Sequence, residues 1–147
     1  MKKSISDIFY YLLIIFMSYV FANKAVDIES FQMNIFKTGI FSEIVSNSLG
    51  YIVLLIEMIS IILLLLNKGK GLNFLIIILL SFTLYISILY HLNRYEVCGC
   101  GGILNGLSYK THMLINVILI VVSLLSRGLM NTCTKNEKYK VKTPIDN

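Results

Sequence analysis

At 147 residues, 56% hydrophobic and only 14% charged, the chain is far more apolar than a soluble domain, whose charged share is about 25%. The apolar residues gather in blocks near the roughly 20 residues that a bilayer-crossing helix needs, and mean hydropathy is +0.77, which points to one integral membrane domain and excludes a soluble one. The net charge of +5 would suit nucleic acid elsewhere, but here the cations flank apolar blocks, no aromatic–basic pattern for stacking bases exists, and three cysteines are too few for a disulfide scaffold.

Lys2 and Lys3 precede an apolar run from Ile8 to Phe21. Two readings fit. The run is a cleavable signal segment ending at Val20-Phe21-Ala22, or a first transmembrane helix over about 8–25. From Ala25 to Asn47, Phe31, Ile35, Ile40, Phe41, Ile44 and Val45 recur at loosely helical spacing among Gln32, Asn34, Lys37 and Glu43. That pattern suits an amphipathic segment in the interface plane, broken in two at Gly39, or a loop capping the bundle.

A second span is expected over about 49–66, apolar except for Glu57 near its middle. Asn67-Lys68-Gly69-Lys70-Gly71 reads as a short basic turn. A third span, about 72–93, carries Ser81, Thr83, Tyr85, Ser87, Tyr90 and His91. The connection from Arg94 to Lys110 contains Cys98-Gly99-Cys100-Gly101-Gly102, and a fourth span follows over about 111–130. The bundle domain is thus 1–130, and 131–147 is a polar, basic tail with the composition of a disordered segment. The single proline, Pro144, lies in that tail, so the spans run unbroken. The fold class is all-α, an integral membrane helical bundle.

Nine Lys and Arg lie at the N-terminus, in the turn between spans two and three, and from Arg127 onward; four (Lys24, Lys37, Arg94 and Lys110) lie in the other connections. Cations collect on the cytoplasmic side, so both termini are expected inside and the cysteine loop outside. Cleavage of the first span leaves that loop on the same side. Cys98 and Cys100 then face an oxidising compartment, whereas Cys133 faces the reducing one as a free thiol.

Two cysteines one residue apart close a tight ring. An unstrained disulfide wants a Cα separation of about 5.5 Å, which C-x-C reaches only with a distorted backbone. Gly99 supplies that freedom, and Gly101 and Gly102 relax the exit. Strain makes a disulfide more oxidising, which suits exchange more than staple duty. Two alternatives stand beside this one: a pair that merely pins the loop, and a metal site completed by His112 or His91. C-x-C is shorter than the usual zinc spacing, and no fourth ligand is evident, so no metal is expected.

On span four, His112, Asn116, Ser123 and Arg127 fall within a narrow angular sector at about 100° per residue, a polar stripe on an apolar helix. Such groups often bond to neighbouring helices. His112, at the outer end, is also placed to lower a cysteine pKa or relay a proton to the dithiol. Glu57 is the other exception, since an ionisable group mid-span is costly and turned inward. Gly50 and Leu54 share its face, leaving room for another helix, and its candidate partners are Asn116, Ser81 and Tyr85.

The chain resembles the MauE/DoxX-like redox-associated membrane proteins. The likeness covers most of its length: Phe21, Lys24-Ala25-Val26-Asp27 and Phe31; Glu57; and, most specifically, Cys98-Gly99-Cys100-Gly101-Gly102-Ile103-Leu104 followed by His112 and Asn116. The resemblance implies that the first apolar run is a transmembrane helix of a DoxX-like four-helix bundle in the bacterial inner membrane. It also implies a part in disulfide formation or maturation of exported proteins. Cys98, Cys100 and His112 would carry that chemistry, supported by Glu57, Asn116, Gly99, Gly101 and Gly102. The expected partner is an exported thioredoxin-like protein or a cysteine-containing client, besides membrane lipid and not nucleic acid. A membrane quinone lodged between helices would take the electrons, although no cofactor motif is visible. The rival functions are a non-catalytic assembly subunit with a structural Cys98–Cys100 bond, and a small transporter or lipid-binding bundle using Glu57 and the polar stripe. Transporters often show inverted repeats or Gly/Pro-broken helices, and neither is present.

Overall fold

The computed structural model describes residues 2–94 and 109–142, with side chains at 4, 6–94, 109–130 and 132. All regular structure among these residues is helical: α1 Lys2–Val26, α2 Ile28–Lys37, α3 Glu43–Leu66, α4 Lys68–His91 and α5 Tyr109–Lys142. Four helices are long and apolar enough to cross a membrane, over Ser6–Val26, Glu43–Leu66, Lys68–His91 and Tyr109–Met130. The chain is therefore an all-helical multi-pass membrane protein.

The burial pattern is inverted relative to a soluble bundle. Ile15, Ile44, Leu66 and Leu84 are strongly exposed, while Ser6, Lys24, Ser46, Glu57, Ser60, His112, Asn116, Ser123 and Ser126 are buried. In lipid the outer face gains nothing from being polar, and polar groups find partners only in the interior. An apolar cluster of Tyr10, Leu13, Met17, Leu64, Leu72, Leu75 and Leu79 fills one half of the bundle, and Ile86 and Leu89 pack with Tyr85 and Tyr109 nearer the other end. Tyr10, Leu13 and Met17 belong to this core, so α1 packs as a wall of the bundle.

Successive spans are antiparallel. The Tyr10 hydroxyl donates to the Leu64 carbonyl, and Ser6 and Ser126 exchange hydroxyl–carbonyl bonds of 3.0 and 3.3 Å. The start of α1, the α3–α4 turn and the far end of the fourth span thus share one end of the bundle. Lys68 Nζ, 2.9 Å from Asp7 and lying over the rings of Tyr10 and Tyr11, ties that end together. The α1–α2 and α2–α3 connections, the end of α4 and the start of α5 share the opposite end.

Three boundaries differ from expectation. The basic turn is a single residue, because Asn67 caps both helices and its side chain accepts from the Lys70 amide at 3.1 Å. Lys68-Gly69-Lys70-Gly71 is therefore the first turn of α4 rather than a loop. Gly71 permits the close crossing: a Cβ there would stand 2.6 Å from the Leu64 backbone. The second membrane helix starts at Glu43 rather than near 49, with extended Ser42 as its N-cap. Beyond Met130, α5 continues as helix to Lys142, through residues whose composition suggested a disordered tail.

The first half of the mixed connector is a helix, α2. Asp27 caps α2 by accepting from the Ser30 amide at 3.2 Å, and Gly39, at φ +65°, ends the segment as expected. Gln32 fills the space above Gly50 and donates to the Asn47 carbonyl at 3.0 Å, so the element that approaches α3 at this glycine is α2.

Candidate functional site

Lys24 and Glu57 build the centre of the site. Lys24, in the last turn of α1, forms an ion pair with Glu57 of α3, and the two are only 4% and 0% exposed. Helical side chains lean toward their own N-terminus. Lys24 therefore points back into the bundle, while Glu57, on an antiparallel helix, leans up toward it. The Lys24 ammonium lies 5.1 Å from the ring centres of both Phe31 and Phe82, a cation–π sandwich between α2 and α4.

This pairing corrects the sequence reading twice. Glu57 pairs with Lys24, which was not among its expected partners, and Ser81 donates to the carbonyl of Ile77 on its own helix, 2.9 Å away. Lys24 is not a loop cation either, which leaves three rather than four basic residues, Lys37, Arg94 and Lys110, at that end of the molecule. The available signal was a lone Lys at the end of one apolar span and a lone Glu inside another, each costly in lipid without the other.

The polar stripe on α5 is present with one change. His112, Asn116 and Ser123 are buried at 2%, 5% and 0%, but Arg127 is exposed and Ser126 takes the inward place. A guanidinium at the end of a span gains more from water than from a packed interface, and its long side chain lets it reach out. Ser123 and Ser126 serve packing, through bonds to Leu119 and Ser6. His112 and Asn116 face a cavity.

That cavity has a volume of about 260 Å³ and draws its walls from all five helices. Phe16, Met17, Val20 and Lys24 come from α1; Phe31, Asn34 and Ile35 from α2; Leu49, Val53 and Glu57 from α3. Leu79, Phe82, Tyr85 and Ile86 come from α4, and His112, Asn116 and Leu119 from α5, with Thr38 and Phe41 closing the α2–α3 bend. The wall is mainly aliphatic and aromatic, with a few polar groups converging on it. Two of these are fully buried and have no hydrogen-bond partner among the described residues: Glu57 Oε2 and Asn116 Nδ2.

Cys98, Gly99, Cys100, Gly101 and Gly102 lie outside the described residues. The two ends of their connection do not. Arg94 follows α4 and its Nη1 donates to the Thr38 carbonyl at 2.6 Å, joining it to the α2–α3 bend. Tyr90 and Tyr109 stack at 3.9 Å between centroids, 14° from parallel, bringing the end of α4 against the start of α5. His112 follows one turn later. The cysteine connection is thus rooted at the end of the bundle that holds Lys24 and His112. No group of three or more His, Cys, Asp or Glu that would hold a metal occurs among the described residues, where His91 is exposed and His112 is buried.

The family described as methylamine utilisation protein MauE matches residues 2–128, nearly the whole bundle. No curated protein and no solved structure matches the chain.

Proposed function

The chain belongs to the methylamine utilisation protein MauE family, and from that premise we propose that it is a membrane thiol–disulfide redox protein acting on exported proteins through Cys98 and Cys100. The observation that carries the reading is positional. The Cys-Gly-Cys sequence falls in the 95–108 connection, whose ends are held against the bundle by the Arg94–Thr38 bond and the Tyr90–Tyr109 stack, one helical turn from buried His112. The excess of Lys and Arg at the opposite end supports an outward-facing loop in the inner membrane of a bacterium.

The chemistry is exchange. A client thiolate attacks one sulfur of the Cys98–Cys100 disulfide, giving a mixed disulfide and a free thiolate on the other cysteine. The second client thiolate then displaces the first sulfur, so the client gains a disulfide and the protein is left as a dithiol. The reverse sequence isomerises or reduces a client. In this reading His112 holds a proton for the departing thiolate. A thioredoxin-like exported protein or a cysteine-containing client fits the exposed half of this exchange.

Separate Cys98→Ala and Cys100→Ala variants test the reading. One of them accumulates a mixed disulfide when its remaining thiolate attacks the disulfide of an exported protein, because the cysteine that would resolve it is gone. Absence of any trapped species in both defeats the proposal. A potential below about −300 mV for the wild-type pair identifies a purely structural bond instead.

A further inference from the structure

The cavity contains an unusual demand. At about 260 Å³ it exceeds many times over the roughly 10–15 Å³ that one water needs, yet its wall is mainly apolar, and apolar cavities stay dry. Glu57 and Asn116 are part of its wall, and Glu57 Oε2 and Asn116 Nδ2 are buried and without a partner among the described residues. Leaving such groups unpaired is costly, and more so for a charge. An acyl chain would fill the apolar volume and satisfy neither. An amine would meet the Lys24 ammonium. The occupant that fits is a flat apolar ring with oxygen at its edge, able to accept from Asn116 and, once reduced, to donate to Glu57. Phe31, Phe82 and Tyr85 supply aromatic surface for such a ring.

We propose that the cavity binds the ring of a membrane quinone, with Asn116 donating to one ring oxygen and Glu57 accepting from the hydroxyl that forms on reduction. The inference rests on the thiol–disulfide reading for its electrons. Oxidising the Cys98/Cys100 dithiol breaks two S–H bonds, forms one S–S bond and releases two electrons and two protons. The quinone takes up both electrons and both protons as two O–H bonds, becoming a quinol. Lys24 holds the Glu57 carboxylate in place through its other oxygen and acts as a positioning residue.

The experiment measures equilibrium binding of short-chain ubiquinone and menaquinone analogues to the full chain in lipid nanodiscs. The variants are Asn116→Leu, Val53→Phe, which fills the cavity without removing a polar group, and a Cys98→Ser/Cys100→Ser double. A fatty-acid methyl ester of matched length is the competitor. Saturable binding with one equivalent, a loss of about tenfold in Asn116→Leu, near-complete loss in Val53→Phe and full retention in the cysteine double support the site. A thermal melt of each variant in nanodiscs separates lost binding from lost fold. If Asn116→Leu melts early, Asn116→Asp, which keeps the size and removes the N–H donors, replaces it. No saturable binding to wild type, equal competition by the ester, or binding indifferent to both cavity variants overturns it. Because the cysteine double reads binding without exchange, quinone bound by a protein that traps no client defeats the exchange reading alone. A trapped client with no quinone bound defeats this inference alone.

Discussion

Lys24 of α1 and Glu57 of α3 form a buried ion pair inside a membrane-spanning bundle, in reach of the polar face of α5. Neither charge is tolerable alone at that depth. The pair fixes the height and rotation of α1 relative to α3, and it sets one side of the cavity.

Breaking the pair is therefore expected to be severe and asymmetric. Lys24→Met or Glu57→Gln alone strands the partner and costs about 3–5 kcal/mol of stability. Lys24→Met combined with Glu57→Gln removes both charges and recovers most of that loss. Unfolding in mild detergent, arranged as a double-mutant cycle, measures it; additive single effects would show that the two residues are not coupled.

The α3–α4 crossing depends on the missing side chain at Gly71. A Cβ there meets Leu64 backbone at 2.6 Å, which a flexible side-chain tip cannot relieve. Gly71→Ala should cost about 1–3 kcal/mol and Gly71→Leu more. The control is Gly128→Ala, where a Cβ meets nothing within 4 Å and stability should hold. Thermal melts of the two alanine variants in one detergent check the difference.

Sidedness makes a labelling prediction. An impermeant maleimide added to intact cells should react with reduced Cys98 or Cys100 and leave Cys133 untouched until the membrane is opened. Single-cysteine versions of the chain separate the signals. Labelling of Cys133 from outside would invert the topology and remove Cys98 and Cys100 from the oxidising side.

His112 is the remaining proton-handling candidate, 2% exposed and one turn from the cysteine connection. His112→Phe should slow formation of the mixed disulfide by about 100-fold, with helix content unchanged by circular dichroism. His112→Gln, which keeps a hydrogen-bonding group, should stay folded and still be slow. Full exchange rates in His112→Gln would make the histidine a structural residue.

Much of this fold was legible along the chain. Span count and approximate position follow from apolar length, because a bilayer demands it and local composition supplies it. Gly39 as a break, Glu57 as the inward exception and the polar stripe of α5 all follow from period and residue type. Local rules failed where two helices had to be compared. Asn67 serving both neighbours at once, Ser126 replacing Arg127 on the inner face, and α2 reaching Gly50 depend on how helices meet.

The amino-acid sequence alone settled that this is a family of apolar helices with a glycine-wrapped cysteine pair between the last two. Only the folded bundle decided that Lys24 belongs with Glu57, and that both line one cavity with Asn116. The reason is geometric. A helix's own periodicity says which residues share its face, but the choice of partner depends on the relative rotation, direction and depth of separate helices, and those are set by packing all of them at once.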